Sequence, residues 1–331
     1  MKEYDFVAIG DTVIDAFIHL KEAETHSDAL GRNRKLCMDF GTKIPYEAVY
    51  ELPAVGNSAN ASVAAARLGL SSALITNIGD DTYADKCITH LKDDNVSTEY
   101  VVRHEGKKTN YHYVLWFQDE RTILIKHEAY TYNLPAHFTA PKWIYLSSFA
   151  KEAENFHDTI TDYLQKHPQV KLAFQPGTYQ LKLGLDRLKS LYARTEVFVC
   201  NVEEAQGLLG DTTSSTPDLL KAIHNHGPKI VVITDGVRGA YILVEGKSYF
   251  MPPYPDTKPP LERTGAGDSF ASTFVSALAL GLAPLGAIMW APVNSASVVQ
   301  YVGAQKGLLT KEELEQFLRS TPEDYKPQEI K

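Results

Sequence analysis

The sequence predicts an α/β fold with a mostly parallel central sheet and a small β-rich lid. Three observations predict it. From Trp143 onward, short apolar runs alternate with helix-length stretches, the pattern of βα units. Between Thr109 and His127 the chain departs from that pattern. There "TNYHYVLWFQDERTILIKH" alternates aromatic and polar residues and reads as an antiparallel hairpin with one face much more apolar. Third, Ser269 to Gln305 contains no Asp, Glu, Lys or Arg, yet Gly281, Pro284, Gly286, Pro292 and Asn294 divide it into two helix-sized pieces. Two such pieces belong inside a large domain rather than across a membrane.

In chain order, "YDFVAIGD" (Tyr4 to Asp11) is a buried strand feeding a loop. The polar, charge-mixed run from Lys21 to Glu51 is too long for a plain connection and is expected to be functional. "GNSANASVAAARLGL" from Gly56 is an alanine-rich helix made for close packing, and "SALITNIGDD" (Ser72 to Asp81) is another strand ending in acid. The hairpin follows, with Asp119 and Glu120 near its turn. "WIYLSSF", "VKLAFQPG", "EVFVCN", "KIVVITDG" and "GAYILVEG" are then strands in succession. "LTKEELEQFL" closes the series as a helix, with Thr310 and Glu313 at capping-box spacing. No internal repeat or low-complexity segment interrupts this order.

Composition narrows the function classes. A chain of 331 residues, 44% hydrophobic and 22% charged, is ordinary for a globular enzyme. A net charge of -8 argues against nucleic acid as a main partner. Cys37, Cys87 and Cys200 are odd in number and widely spaced, offering neither a zinc site nor a disulfide framework and suiting a reducing cytosol. The N-terminal "MKEYDFVAIGD" is charged where an export signal needs an apolar core, so a cytoplasmic protein is expected.

The chemistry concentrates in "LERTGAGDSFASTFVSALALG" (Leu261 to Gly281). Glycines let the backbone turn tightly and let a ligand approach. The N–H groups of Thr264 to Gly267, with the dipole of the following helix, form a pocket for negative charge. A phosphate there, with a substrate hydroxyl beside Asp268, supplies what phosphoryl transfer requires: positioning, anion stabilisation and a carboxylate to orient the nucleophile. The plainer alternative is that Asp268 caps a helix beginning at Ser269. Asn201 and Glu204, at the end of "EVFVCN", either face a ligand or form a capping box. Thr234, Gly236 and Gly239 either meet a nucleotide phosphate or make a simple strand turn. Polar strand ends of this kind suggest a crevice along the carboxyl edge of the sheet.

In their order these motifs resemble the ribokinase (PfkB-type) family of carbohydrate and nucleoside kinases, from Tyr4 to about Leu309. The resemblance implies a ribokinase-like three-layer sandwich, one α/β domain over residues 1–331, with lid segments at about 17–55 and 101–127. It implies an ATP-dependent kinase acting on a primary hydroxyl of a pentose or hexose, with a nucleoside as the alternative acceptor. Asp15 in "GDTVID" and Gly56, Asn57 and Asn60 in "VGNSANASVAAARLG" fall at substrate contacts. Asn201, Thr234, Gly236, Gly239 and Asn294 fall toward the nucleotide, and Glu204 toward magnesium through water. Gly265, Ala266 and Gly267 fall on the anion hole and Asp268 on the base.

The sequence also departs from the family. Val55 stands for the first glycine of the Gly-Gly pair, and Glu262-Arg263 for the usual Asp-Thr. In many relatives that acid helps bind a monovalent cation, so potassium is left open: Arg263 either substitutes for the cation or points into solvent. No GxxxxGK[ST] loop occurs, and no GxGxxG follows the first strand, which sets aside P-loop kinases and dinucleotide-binding dehydrogenases. A non-catalytic sugar-binding protein would have lost the base, and Asp268 is present. The lid aromatics Tyr111, Tyr113, Trp116 and Phe117 either stack on a base or pack the lid upon itself or a second subunit. A homodimer through the lid is expected.

Overall fold

The computed structural model describes residues 3–28, 34–118, 120–255 and 258–330. In chain order the strands are β1 (Phe6–Ile9), β2 (Val13–Leu20), β3 (Glu24–His26), β4 (Lys35–Cys37), β5 (Tyr46–Val55), β6 (Ser72–Ile78), β7 (Val101–Arg103) and β8 (Tyr111–Phe117). They continue as β9 (Glu120–Leu124), β10 (Trp143–Leu146), β11 (Lys171–Phe174), β12 (Val197–Asn201), β13 (Ile230–Thr234), β14 (Ala240–Val244), β15 (Lys247–Met251) and β16 (Gln328–Ile330). The 10-stranded main sheet runs β16-β15-β14-β13-β12-β11-β10-β1-β6-β7. Its pairs are parallel from β7 through β13 and antiparallel from there to β16.

Burial on both faces explains the continuous apolar strands. In β1, Phe6 and Ala8 enter one core while Val7 and Ile9 enter the other. The first core lies under helices Asn57–Arg67, Ala266–Ala279, Pro284–Val298 and Lys311–Arg319. The second lies under Phe156–Lys166, Val202–Leu209 and Thr216–His224. This is the three-layer arrangement expected. The charge-free stretch supplies the helices Ala266–Ala279 and Pro284–Val298, packed into the first core. Among the described residues no helix is long and apolar enough to cross a membrane. The capping box at Thr310 and Glu313 forms as its spacing predicts.

A separate four-stranded sheet, ordered β5-β2-β8-β9, is the lid. Its bounds correct the expected 17–55 and 101–127. The first segment starts earlier, at Val13, because β2 enters the lid directly after β1. The second starts later, at Tyr111, because Val101–Arg103 pairs with β6 at the edge of the main sheet. In the polar run from Lys21 to Glu51, of which residues 29–33 lie outside the described residues, the described part includes the two-stranded ribbon β3-β4 and much of β5. Strands β8 and β9 make the expected hairpin, with Phe117 opposite Glu120; Asp119 lies outside the described residues.

Register decides which lid side chains share a face. Asp15 pairs with Leu52 on one side and His112 on the other. With two-residue alternation, Asp15, Phe17, Leu52, His112, Val114, Trp116, Arg121 and Ile123 form the inner face. Tyr113, Leu124 and Val49 fall on the opposite face and are exposed.

Candidate active site

A cleft of about 450 Å³ lies between the lid and the carboxyl ends of the parallel strands. Asp11 follows β1, Ser148 follows β10, Gln175 follows β11, Asn201 ends β12 and Thr234 ends β13, and all five line it. Asp15, Phe17, Leu52, His112, Arg121 and Ile123 cover it from the lid. The main-sheet side is the crevice that polar strand ends predict.

The helix Ala266–Ala279 starts at its floor. Gly265, its N-cap, has φ 79, and a Cβ there would stand 2.3 Å from Cβ of Ala304, so no larger residue fits. A Cβ on Gly267 would meet nothing within 4 Å, which leaves room for a ligand. The amides of Gly265 and Gly267 meet no acceptor among the described residues. The expected four-amide pocket is narrower, however. The Thr264 N–H donates to Glu262 Oε2 at 2.7 Å, and the Ala266 N–H leans on the Arg263 carbonyl at 3.4 Å.

Asp268 is not the helix cap. The helix begins two residues earlier, and the side chain turns away from its amides into the cleft. Its Oδ2 accepts from Asn60 Nδ2 at 2.8 Å and its Oδ1 from Gln175 Nε2 at 3.2 Å. Desolvation pushes this half-buried carboxyl above the ordinary carboxylate range; the Asn60 and Gln175 bonds and the Arg121 charge oppose that, and the Asp15 charge adds to it.

A chain of hydrogen bonds fixes the direction of the Asn60 amide. His90 Nε2 is 2.6 Å from Gln305 Oε1, and Gln305 Nε2 donates to Asn60 Oδ1 at 2.9 Å and to the Ala54 carbonyl at 2.7 Å. With its oxygen already an acceptor, Asn60 has only its NH₂ to offer Asp268. Gln175 is held likewise, its Oε1 accepting from the Tyr145 hydroxyl. The structure thus adds Asp268 itself to the neighbours of Asn60, which motif matching had placed on the substrate alone.

At the lid end, His112 Nδ1 lies 3.4 Å from Asp15 Oδ1, and His127 Nδ1 lies 3.7 Å from Asp11 Oδ2. The two imidazoles meet edge to face at 5.2 Å. Asp11 accepts from the Tyr132 hydroxyl and the Ala150 amide, but its burial dominates and pushes its carboxyl up to about 6. Burial, with His112 nearby, lowers His127. Gly56 and Asn57 line the cleft beside them. A Cβ on Gly56, at φ 112, would stand 2.8 Å from the Asp11 carbonyl.

At the other end, Asn201 and Glu204 make the capping box: Asn201 Oδ1 accepts from the Glu204 amide at 2.7 Å, and Glu204 Oε2 from the Asn201 amide at 2.9 Å. Both also line the cleft, so capping and ligand roles are compatible. Burial raises the Glu204 carboxyl, the Asn201 amide opposes it, and the charges of Asp268 and Glu203 add to the rise.

Three residues expected toward the nucleotide, Asn294, Gly236 and Gly239, do not line this cleft. Asn294 is fully buried, donating to Thr273 Oγ1 at 2.8 Å and accepting from the Leu309 amide at 2.9 Å, so its side chain ties two segments of the core. Gly236 and Gly239 shape the turn between β13 and β14 and do not line the cleft; a Cβ on Gly239 would stand 2.5 Å from the Met251 carbonyl. Glu262 is buried, with Oε1 accepting from the Gly303 amide and Oε2 from Thr264, each at 2.7 Å. What this carboxylate does here is clamp the loop before the helix. Arg263 lines the cleft rather than pointing away from it.

The sequence reading missed Asp11, His112, Arg121, His127, Gln175 and Gln305. Asp11 and Gln175 carried a usable signal, since each closes an apolar strand just as Asn201 does. His112 and Arg121 did not, because their face depends on lid register.

Known proteins resemble this chain in sequence and in fold. Residues 27–311 match the domain described as pfkB family carbohydrate kinase. The chain is 25% identical over 338 residues to the 5-dehydro-2-deoxygluconokinase of Bacillus subtilis (strain 168), covering 96% of this chain and 97% of that one. It is 28% identical over 272 residues to the ribokinase of the same organism, covering 80% and 87%. The structure of Arabidopsis thaliana ribokinase complexed with ribose and ATP shares the fold, with a TM-score of 0.78 at 18% identity over 97% of this chain and 100% of that one.

Proposed function

As this chain belongs to the pfkB family of carbohydrate kinases, we propose that it transfers the terminal phosphoryl group of ATP to a primary hydroxyl of a pentose or hexose. The observation that carries this reading is the half-buried Asp268 carboxylate, directed into a roofed cleft beside the open amides of Gly265 and Gly267. The names of the relatives, a ribokinase and a 5-dehydro-2-deoxygluconokinase, support a sugar or sugar-derived acceptor.

In this reading Asp268 aims the acceptor hydroxyl at the phosphoryl group and receives its proton late in transfer. Desolvation strengthens it as a base, while the bonds from Asn60 and Gln175 hold its oxygens and favour the charged form. The Gly265 and Gly267 amides face the negative charge that develops on the phosphoryl oxygens. The lid excludes water, which would otherwise compete as acceptor.

Magnesium fits the nucleotide end. Glu204 lines the cleft within electrostatic reach of Asp268, and its burial beside that charge is relieved by a cation. Among the described residues no group of three or more His, Cys, Asp or Glu side chains is placed to hold a metal ion. Glu204 would hold a magnesium ion through water, and the ion would supply positive charge toward the nucleotide phosphates. Glu204→Gln retains the capping geometry and removes the charge. We expect a higher magnesium requirement for turnover with a nearly unchanged melting temperature. A large stability loss with normal magnesium dependence would leave Glu204 as a cap alone.

A sugar is favoured over a nucleoside by the names of the relatives and by the packing of four lid aromatics elsewhere, with Phe17 the one Phe, Tyr or Trp ring of the lid among the described residues that lines the cleft. Of Tyr111, Tyr113, Trp116 and Phe117, none lines the cleft. Trp116 stacks on His19 at 4.1 Å, and Tyr111 donates to Glu51 at 3.0 Å. A coupled assay over ribose, fructose, adenosine, cytidine and inosine tests the choice: a sugar is expected to be turned over best, and preference for any nucleoside overturns it.

The outer lid face also favours a homodimer. Tyr113 and Leu124 are cross-strand partners, 50% and 52% exposed, and Val49 at 48% lies on the same face. Light scattering is expected to give twice the chain mass; a monomer at all concentrations contradicts this.

A further inference from the structure

We propose that the acceptor carries an anionic group, a carboxylate or a phosphate, and that Arg121 of the lid holds it. This rests on the kinase reading and names the class of sugar that the same cleft accepts.

Asp15 on the lid has His112 near it at 3.4 Å, and Asp11 on the main-sheet side has His127 at 3.7 Å. Asp15 Oδ1 is buried and without a hydrogen-bond donor, whereas Arg121 is a lid cation with no buried acid beside it. Arg121 lines the same cleft, but its one ion-pair neighbour among the described residues is Glu120, at 4.0 Å on a carboxylate that is 61% exposed. The Arg121 Nε is buried and meets no acceptor, and so is Nε2 of His112. A guanidinium kept in a partly dry cleft without its acid is unfavourable until an anion arrives. A neutral hydroxyl satisfies one N–H; the planar fork of arginine matches a carboxylate or phosphate with two parallel bonds.

The position of Arg121 favours the acceptor over the nucleotide. Its same-face neighbour along β9 is Ile123, and it reaches the cleft from the lid sheet that also presents Asp15 and His112. The open amides of Gly265 and Gly267, with Arg263, Asn201, Glu204 and Thr234, lie on the main-sheet side, where the nucleotide phosphates belong in the kinase reading. Arg121 and Asp268 line the same cleft, so an anion held by Arg121 leaves the rest of the same small molecule in the space that Asp268 faces.

Calorimetry on the full chain without ATP tests this with pentose- and hexose-derived aldonates, keto acids and sugar phosphates, each against its neutral parent. At least one acidic sugar is expected to bind about 10- to 100-fold tighter than its parent, the range of a charge-assisted pair. Arg121→Gln should abolish that advantage, Arg121→Lys should restore part of it, and ATP affinity should not change. An advantage confined to carboxylates identifies a sugar acid, and one confined to phosphates a sugar phosphate. Three outcomes overturn the proposal: neutral sugars binding as tightly as acidic ones, neither class binding, or Arg121→Gln weakening all ligands or ATP alone. ATP consumption dependent on Asp268 is read separately. Turnover of neutral sugars without charge preference removes this inference and leaves the kinase reading. Charge-selective binding without phosphoryl transfer does the reverse.

Discussion

Asp268→Asn is expected to lower turnover by roughly 10²–10⁴, the usual contribution of a general base, with nucleotide binding little changed. The substitution is nearly isosteric. The amide oxygen still accepts one of the two bonds from Asn60 and Gln175, so the cleft keeps its shape. What disappears is the negative charge and the site for the proton. The pH profile supplies a second readout. Desolvation raises the Asp268 carboxyl, and a base works only when deprotonated. Wild-type kcat/KM should therefore fall as pH drops through that raised value, and the variant should lack that limb. A variant with near-normal turnover and the same acid limb would remove Asp268 from the chemistry.

The second large effect is expected at the start of the helix. In Gly265→Ala the new methyl meets Ala304 at 2.3 Å, on a backbone with φ 79. Positive φ in a non-glycine residue costs about 1–3 kcal/mol, so the melting temperature should fall. Relieving the strain displaces the amides, and loss of one such donor typically lowers turnover by roughly 10²–10³. Gly267→Ala is the contrast. Its methyl meets nothing in the protein, so stability should hold while activity falls, because the methyl occupies room left for the phosphate. Equal activity in both variants and the wild type, measured by steady-state kinetics beside thermal unfolding, would separate these glycines from the reaction.

The sheet was legible because each parallel strand must be apolar on both faces, so β1, β6 and β10 to β13 announce themselves without knowledge of their neighbours. The helix starting at Ala266 was legible for a related reason: glycines where the chain must bend, then a long run free of charge. The lid was legible only as a region. Its faces depend on β2 pairing parallel with β8 across nearly a hundred residues, and no local pattern encodes that register. Arg121 and His112 therefore stayed hidden, although both face the cleft. Asn294 shows a different limit. Motif position pointed to the nucleotide, while the buried amide is consumed by Thr273 and Leu309. Position in a motif constrains the backbone, and the side chain then answers to its own hydrogen-bond partners. Glu262 illustrates the same point, its two oxygens turned inward to the loop amides.

The central claim is that this cleft moves a phosphoryl group from ATP to a sugar under the direction of Asp268. Phosphorus NMR on the full chain with magnesium, ATP and a panel of neutral and acidic sugars tests it most directly. The account predicts a new phosphomonoester signal that grows in step with ADP for at least one sugar, and its near absence with Asp268→Asn. ATP left intact with every sugar, ADP formed with inorganic phosphate alone, or the same phosphomonoester from the Asp268→Asn protein at an undiminished rate would contradict it.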